Sequence, residues 1–280
     1  MRRVPVRALR GGERGVAASF RVRAGAVEIA ILARGELSPD ELAWAMEAAR
    51  GLAAVDDDPT EFLALARRSP LVAKLAAASD CRLDRTPTVF ESFTCAVIEQ
   101  LVTTFEAHAS IRRLHRDAGA LIEGTDHRAP PTASAVLAVP PWRLREIGIG
   151  VRRARTLREG ARRAAALERL KAGDPAEAVE KLQSLPGVGP WTANLVAQNA
   201  LAYADAVPVG DFHAPRVITQ ALTGEPGDDA AMLEALAPFR PHRARAARLV
   251  MRAAMVSGLS EVAPRRVPKV DPHRREPWKY

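Results

Sequence analysis

Residues 182–197 read Leu-Gln-Ser-Leu-Pro-Gly-Val-Gly-Pro-Trp-Thr-Ala-Asn-Leu-Val-Ala, and residues 207–213 read Val-Pro-Val-Gly-Asp-Phe-His. An amphipathic stretch ends before the Pro-Gly-Val-Gly turn, and a second apolar-periodic stretch follows it. Gly187 and Gly189 permit backbone angles that are closed to other residues. This spacing predicts a helical hairpin over residues 176–201. Its exposed amides and the positive end of its second helix favour an anion, and on a basic protein that anion is a nucleic-acid phosphate.

The 280-residue chain is basic, with 41 Lys and Arg against 33 Asp and Glu and a formal net charge of +8. The excess favours a polyanionic partner, although a generally basic proteome would give the same excess. With 48% hydrophobic residues, the chain can bury a sizeable core in two or more domains. Its only cysteines, Cys81 and Cys95, exclude a disulfide framework and a four-cysteine iron–sulfur site built from this chain.

Changes of pattern divide the chain into three parts. Residues 17–33 alternate apolar and polar side chains, as in two short strands of a hairpin, and Ser38 is placed to cap a helix. These features predict a small N-terminal α/β domain over residues 1–85. A mainly α body over residues 86–263 follows, and residues 264–280 are predicted to form a basic C-terminal tail.

The body is predicted to be helical because its apolar residues recur at three- and four-residue spacing between proline and glycine breaks. Helices are predicted over 61–68 and 70–78 in the N-terminal domain, and in the body over 90–106, 110–117, 132–138, 141–147, 151–171, 176–184, 191–201, 213–222, 228–236 and 242–256. The sequence shows neither a signal peptide nor a segment of membrane-spanning length, so we expect a cytoplasmic, nucleoid-associated protein.

Leu185-Pro-Gly-Val-Gly189, with Asp211 downstream, resembles the motif of the helix-hairpin-helix Gly/Pro/Asp superfamily of DNA glycosylases. Within that superfamily, Pro190-Trp-Thr-Ala-Asn194 is similar to the alkylation-repair branch, the 3-methyladenine DNA glycosylase II family. The resemblance covers Thr86 to Val262 well and the first eighty residues loosely. It implies a two-lobed helical body with the active site in the cleft and the hairpin at the edge of the cleft.

The resemblance implies a monofunctional DNA N-glycosylase of base excision repair, which flips damaged, alkylated bases out of duplex DNA and hydrolyses their bond to the sugar. Asp211 would be the catalytic carboxylate that stabilises positive charge on the deoxyribose. A helix N-cap is the alternative role for Asp211, and the two roles can coexist. Branches that also nick DNA carry a Schiff-base lysine where Trp191 stands, and no lysine occurs between Lys181 and Lys269.

The same resemblance predicts a substrate pocket formed by Trp191, Leu195, Phe212 and His213. Trp191 could stack on an electron-poor base or simply pack in the core. Leu195 stands where the family often has an aromatic residue, which predicts a less aromatic pocket. His213 could hydrogen-bond to Asp211, or it could cap or pack.

For the gap that a flipped base leaves in the duplex, the resemblance offers Gln100 and Leu101 as a wedge, although Leu101 could equally be a core leucine. Residues 151–163 contain six arginines after a Gly-Ile-Gly turn, and these could track the DNA backbone or form a solvated helix face. The predicted phosphate-binding residues are Gly187, Val188, Gly189, Trp191 and Thr192.

No organic or redox cofactor is expected. The family's hairpin can hold a structural monovalent cation, Na⁺ or K⁺, on backbone carbonyls, which here would be those of Gln183, Leu185 and Val188. His242 could border the cleft, and Arg243 resembles a family arginine that holds the cleft together.

The expected partner is double-stranded DNA with damaged bases, bound by a monomer. One alternative is a non-catalytic DNA-damage-binding protein of the same fold. Another is a structural hairpin module within a larger repair assembly.

Overall fold

The structure is a computed structural model that describes residues 6–10, 15–23, 26–33, 35–122 and 125–257. It is mainly helical, as predicted, with a small antiparallel sheet before the helices. The strands are β1 (Val6–Arg10), β2 (Gly15–Arg23) and β3 (Ala26–Leu32). The helices are α1 (Pro39–Leu52), α2 (Thr60–Ala66), α3 (Pro70–Ala78), α4 (Val89–Glu99), α5 (Thr104–Ala118), α6 (Ala133–Ala138), α7 (Pro141–Glu146), α8 (Val151–Arg162), α9 (Ala164–Glu168), α10 (Pro175–Gln183), α11 (Pro190–Leu201), α12 (Ala214–Thr223), α13 (Asp229–Leu236) and α14 (Arg243–Ser257).

The sheet is a meander in which β2 pairs with β1 on one side and with β3 on the other. The β2–β3 hairpin is the predicted one, whereas β1 is a third strand that the sequence analysis missed. Ser38 caps α1 as predicted, because its hydroxyl accepts from the Glu41 amide while the Glu41 carboxylate accepts from the Ser38 amide. Small residues of α1, among them Ala45 and Ala49, pack with the sheet in one apolar cluster.

Two larger apolar clusters form the helical body. In one lobe, α4 to α11 pack around Phe93, Leu157 and Leu182. In the other lobe, α12, α13 and α14 pack together with α2 and α3 around Phe62 and Met232. The predicted N-terminal domain therefore contributes to two separate clusters, and its division from the rest of the chain stays a prediction.

Two of the predicted long helices are interrupted. The helix expected over 90–106 ends at Glu99, and α5 begins at Thr104 with a capping box of its own. The prediction failed because Leu and Val in the intervening turn continue the apolar pattern of the helix. The helix expected over 151–171 ends at Arg162, and a short helix and a 3₁₀ turn follow it.

None of the helices that the structure describes is long and apolar enough to cross a membrane. The predicted C-terminal tail, residues 264–280, lies outside the described residues. Ala24 and Gly25, at the predicted turn between β2 and β3, also lie outside them.

Candidate functional site

The predicted hairpin is formed by α10 and α11, which the Pro-Gly-Val-Gly turn joins. Gly187 has a φ of +85° and lies against Thr156 of α8, so that an added Cβ would overlap the threonine hydroxyl oxygen. Gly189 is extended and caps α11, and a Cβ there would meet no atom within 4 Å. Leu185 and Val188 are buried and fix the turn to the core. The fold therefore requires glycine at 187, whereas Gly189 leaves the backbone open to solvent.

The start of α11 presents unpaired backbone donors. Within the part of the chain that the structure describes, the amides of Gly187, Gly189 and Trp191 donate to no protein acceptor. These amides lie at the positive end of a twelve-residue helix. This geometry is suited to an anion that approaches from solvent.

Two of the predicted phosphate-binding residues have hydrogen-bond partners within the protein. The Val188 amide donates to the Leu185 carbonyl at 3.0 Å, and Val188 itself is buried. The Thr192 hydroxyl is buried and accepts a hydrogen bond from Gln100 at 2.9 Å. These two residues therefore hold the turn together from inside, and their contact with a phosphate stays a prediction.

Asp211 lies half-buried between α11 and α12, with three donors on its carboxylate. Oδ1 accepts from the backbone amides of His213 and Ala214, both at 2.8 Å. Oδ2 accepts from the indole Nε1 of Trp191 at 2.9 Å. The carboxylate therefore caps the start of α12 with one oxygen, as the alternative reading expected, and keeps the other oxygen beside the hairpin.

The predicted pocket residues come from two segments, the start of α11 and the residues just before α12, and Trp191 and His213 are the two that contact the carboxylate among the described residues. Trp191 is half-buried and directs its N–H to Asp211, and Leu195 follows it by one turn on α11 at the edge of the core. Phe212 is half-exposed and packs edge-on against the His213 ring, with centroids 4.9 Å apart. His213 reaches Asp211 through its backbone amide while its ring packs on Phe212, which agrees with the alternative that His213 caps or packs.

The structure separates the two predicted wedge residues. Gln100 turns inward, and its Nε2 donates to the Gly187 carbonyl at 3.0 Å and to the Thr192 hydroxyl. Leu101 is 83% exposed and has a φ of +56°, which is unusual for a leucine. The alternative that Leu101 is a core leucine is therefore wrong. The side chain of Gln100 ties the turn to the hairpin, and Leu101 projects beside it.

In the predicted basic helix, α8, much of the arginine charge is engaged by hydrogen bonds or ion pairs with other groups of the protein. Arg153 donates to carbonyls at the end of α4 and in the turn before α8, at 2.6 and 2.9 Å. Arg158 donates to two carbonyls at the end of α6, at 2.9 and 3.1 Å. The last two arginines pair with Glu159. Arg152 and Arg155 are exposed with no such partner among the described residues, and Arg162 and Arg163 are exposed at the end of the helix with only surface ion pairs, so these four arginines stay candidates for contacting DNA.

The two C-terminal residues singled out in the sequence have internal partners. Arg243 makes a bidentate ion pair with Asp205, at 2.6 and 2.8 Å, and both side chains are largely buried, which fits the expected structural role. His242 is 8% exposed and belongs to a buried network with Arg245 and Asp57. His242 is therefore part of the packing of this lobe and does not line an open surface.

The carbonyls predicted to hold a cation are compatible with that role. Those of Gln183 and Val188 accept no hydrogen bond from the described residues, and that of Leu185 accepts one from the Val188 amide. Carbonyl oxygens are hard ligands of the kind that alkali cations accept. The cation site stays a prediction. Among the described residues, no group of three His, Cys, Asp or Glu side chains could hold a metal.

No protein-family model matches the chain. Over 165 residues the chain is 27% identical to a DNA-3-methyladenine glycosylase of Bacillus subtilis strain 168, and the match covers 56% of this chain and 54% of that protein. The match therefore spans about half the length of this curated relative.

Solved structures resemble the chain over most of its length. A 3-methyladenine DNA glycosylase from Archaeoglobus fulgidus superposes with a TM-score of 0.77 at 22% identity, over 90% of this chain and 87% of that one. The chain has the helix-hairpin-helix DNA glycosylase fold. An 8-oxoguanine glycosylase/lyase of Clostridium acetobutylicum, solved with double-stranded DNA, shares this glycosylase fold with a TM-score of 0.66 at 17% identity, over 90% and 88% of the two chains.

Proposed function

We propose that this protein is a monofunctional DNA N-glycosylase that extrudes an alkylated base from duplex DNA and hydrolyses its bond to deoxyribose, leaving an abasic site. The observation that carries the proposal is the Asp211 carboxylate, which three donors hold beside the first turn of the hairpin's second helix. The similarity to proteins named 3-methyladenine DNA glycosylases supports this choice of reaction.

Asp211 supplies the electrostatic part of the reaction. Positive charge builds on the deoxyribose as the base departs, and a carboxylate about 4 Å away stabilises it by roughly 4 kcal/mol at an effective dielectric near 20. Because backbone amides and the Trp191 indole already orient the carboxylate, little reorganisation accompanies the reaction. A cationic alkylated purine is a good leaving group, so Asp211 acts on such bases without a strong partner acid, and positioning supplies the rest of the rate enhancement.

Trp191 makes hydrolysis the favoured outcome. An indole nitrogen cannot form an imine with the sugar, and no lysine occurs between Lys181 and Lys269. Water is therefore the proposed nucleophile, and the abasic site is released without strand cleavage.

The surface around Asp211 fits a duplex. The unpaired amides of Gly187, Gly189 and Trp191 would receive a phosphate of the damaged strand, and Leu101 would fill the space that the flipped base leaves. We propose a monomer that acts on chromosomal DNA without an organic or redox cofactor, with Na⁺ or K⁺ at the hairpin carbonyls as an optional structural ion.

The proposal is tested by single-turnover release of bases from duplexes containing 7-methylguanine, 1,N6-ethenoadenine, hypoxanthine or uracil. Release of 7-methylguanine that leaves an intact strand with an abasic site is the expected result. Strand cleavage without alkali treatment would contradict the monofunctional assignment. Saturable, salt-sensitive binding of lesion duplexes without release of any base would instead identify a DNA-damage-binding protein.

A further inference from the structure

The turn from α4 to α5 is tied to the hairpin at one end and to α5 at the other. Gln100 donates to the Gly187 carbonyl at 3.0 Å and to the Thr192 hydroxyl at 2.9 Å. The Thr103 hydroxyl accepts from the Glu106 amide at 3.2 Å, and the Glu106 carboxylate accepts from the Thr103 amide at 2.9 Å. These hydrogen bonds hold the first turn of α5 in a defined position relative to the hairpin.

Two large apolar side chains of this segment are exposed. Leu101 directly follows Gln100, and Phe105, in the first turn of α5, is 75% exposed. Four residues of chain span at most about 14 Å, so the Cα atoms of Leu101 and Phe105 lie within that distance. Side chains on a helix lean toward its N-terminus, so Phe105 leans toward the turn that carries Leu101. The exposed apolar surface beside the hairpin therefore extends from Leu101 to Phe105.

Behind Phe105, the exposed side of α5 is basic. The residues that α5 buries are Ala107, Ser110 and Leu114. On the opposite side, exposed residues recur every three or four positions, and we call this set the outer face of α5: Phe105, His108, Arg112 and Arg116.

The positive charge of this face is not neutralised within the described part of the chain. There, Arg112 and Arg116 form no ion pair and no side-chain hydrogen bond. The acidic residues of α5 are engaged elsewhere, since Glu106 belongs to the capping box and Asp117 pairs with Arg143. The outer face therefore has an aromatic ring at its hairpin end and two unpaired guanidinium groups behind it.

This combination fits a strand of nucleic acid. An aromatic ring can stack on any base, because every base has a π-face, and arginine binds phosphate oxygens. The positive charge of the face is complementary to a phosphate backbone. The face also continues from the turn that carries Leu101, which the hydrogen bonds of Gln100 hold against the hairpin.

We propose that the outer face of α5 binds the DNA strand opposite the lesion. Phe105 stacks on the base that loses its partner when the damaged nucleotide is flipped, and Arg112 and Arg116 contact phosphates of the same strand. This inference rests on the proposed function, which assigns the damaged strand to the hairpin amides and the vacated space to Leu101. Phe105 follows Leu101 on the side away from the hairpin, so the group it meets is the unpaired base.

This contact lowers the cost of extrusion. Flipping a nucleotide costs a few kcal/mol in lost stacking and pairing, and the base that stays behind loses its partner. Stacking on Phe105 replaces part of what that base loses. Arg112 and Arg116 lie about 10 and 16 Å farther along the helix axis, so they hold the strand on one side of the unpaired base.

The stacking is tested with a duplex that carries tetrahydrofuran, a stable analogue of the abasic site, opposite the fluorescent base 2-aminopurine. Stacking on an aromatic ring quenches its emission. At saturating protein we expect the duplex to be brighter with Phe105→Ala than with wild type, and the affinity to fall by about 5- to 100-fold. Phe105→Trp, which keeps a stacking ring, should behave as wild type does. Leu63→Ala, at an exposed position on α2, is the control for loss of an apolar side chain.

The phosphate contacts are tested by the salt dependence of binding to the same duplex. The variant is Arg112→Gln with Arg116→Gln, and the control is Arg67→Gln with Arg169→Gln, which removes equal charge from two other exposed arginines. Each phosphate contact contributes about 0.9 to the slope of log K against log salt concentration. We expect the slope to become shallower by about 1.8 in the variant and to stay within about 0.5 of wild type in the control.

All the substituted side chains are exposed, so urea unfolding midpoints should equal that of wild type. Equal 2-aminopurine emission with Phe105→Ala and wild type would overturn the stacking role of Phe105. An unchanged salt slope in the arginine variant, or an equal change in its control, would overturn the phosphate contacts. These binding measurements need no turnover, whereas failure of wild type to release 7-methylguanine would overturn the proposed function itself.

Discussion

The indole nitrogen of Trp191 donates a hydrogen bond to Oδ2 of Asp211 over 2.9 Å, and this bond joins the hairpin to the carboxylate. The first turn of α11 therefore does two things, since it presents unpaired amides to solvent and orients Asp211. A DNA strand held on these amides would be positioned by the same rigid turn that positions the carboxylate.

The Trp191→Phe substitution tests this link. It keeps an aromatic ring in place but removes the donor to Asp211. A hydrogen bond to a charged group contributes about 1.5–3 kcal/mol, so we expect the single-turnover rate of 7-methylguanine release to fall by about 10- to 100-fold. Affinity for abasic DNA should stay within about 2-fold. An unchanged rate would show that the indole N–H has no part in orienting the carboxylate.

The two hairpin glycines should respond differently to alanine. Gly187→Ala places a Cβ at a φ of +85° against the Thr156 hydroxyl, so we expect it to lower the free energy of unfolding by about 1–3 kcal/mol. Gly189→Ala meets no atom within 4 Å and should change that free energy by less than about 1 kcal/mol. Its methyl group would lie on the anion-binding face, so DNA affinity should fall without loss of stability. Equal unfolding midpoints in urea would contradict this assignment.

Leu101→Gly should separate stability from base extrusion. Leu101 has a φ of +56° and is 83% exposed, so glycine relieves an unfavourable backbone conformation and removes little packing. We expect the free energy of unfolding to be unchanged or raised by up to about 1 kcal/mol. Base release from a fully paired duplex should slow, whereas release from a mismatched lesion, which is easier to extrude, should slow less. A clear loss of thermal stability would mean that Leu101 is a packing residue.

The buried Arg245 should be essential for the lobe that contains α14. It is 4% exposed, and it bonds both oxygens of Asp57 and the Cys81 carbonyl. Arg245→Met leaves a buried carboxylate without its partner and should cost about 3–5 kcal/mol in urea unfolding. The matched control is Arg248→Met on the same helix. Its pair with Asp84 is more exposed, so its loss should cost less than about 1 kcal/mol. Similar costs for the two variants would refute the assignment.

Sequence alone predicted the features that depend on local spacing. The hairpin follows from two glycines and two prolines within five residues, whereas the catalytic role of Asp211 came from the resemblance to the glycosylase superfamily and stays a proposal. It did not predict that α4 ends at Glu99, because the next residues continue the apolar pattern.

Contacts between distant residues were also missed. Trp191 and Asp211 are 20 residues apart, and Gln100 and Thr192 are 92 residues apart. Each pair meets only when separate helices pack, so no local pattern signals the contact.

The most direct test of the whole account is single-turnover release of 7-methylguanine by Asp211→Asn beside wild type. Asparagine can still accept from the His213 and Ala214 amides through its oxygen, so the cap of α12 and the fold should persist. We expect base release to be abolished while affinity for abasic DNA is largely retained. Release at the wild-type rate by Asp211→Asn would contradict the central claim that this carboxylate carries the reaction.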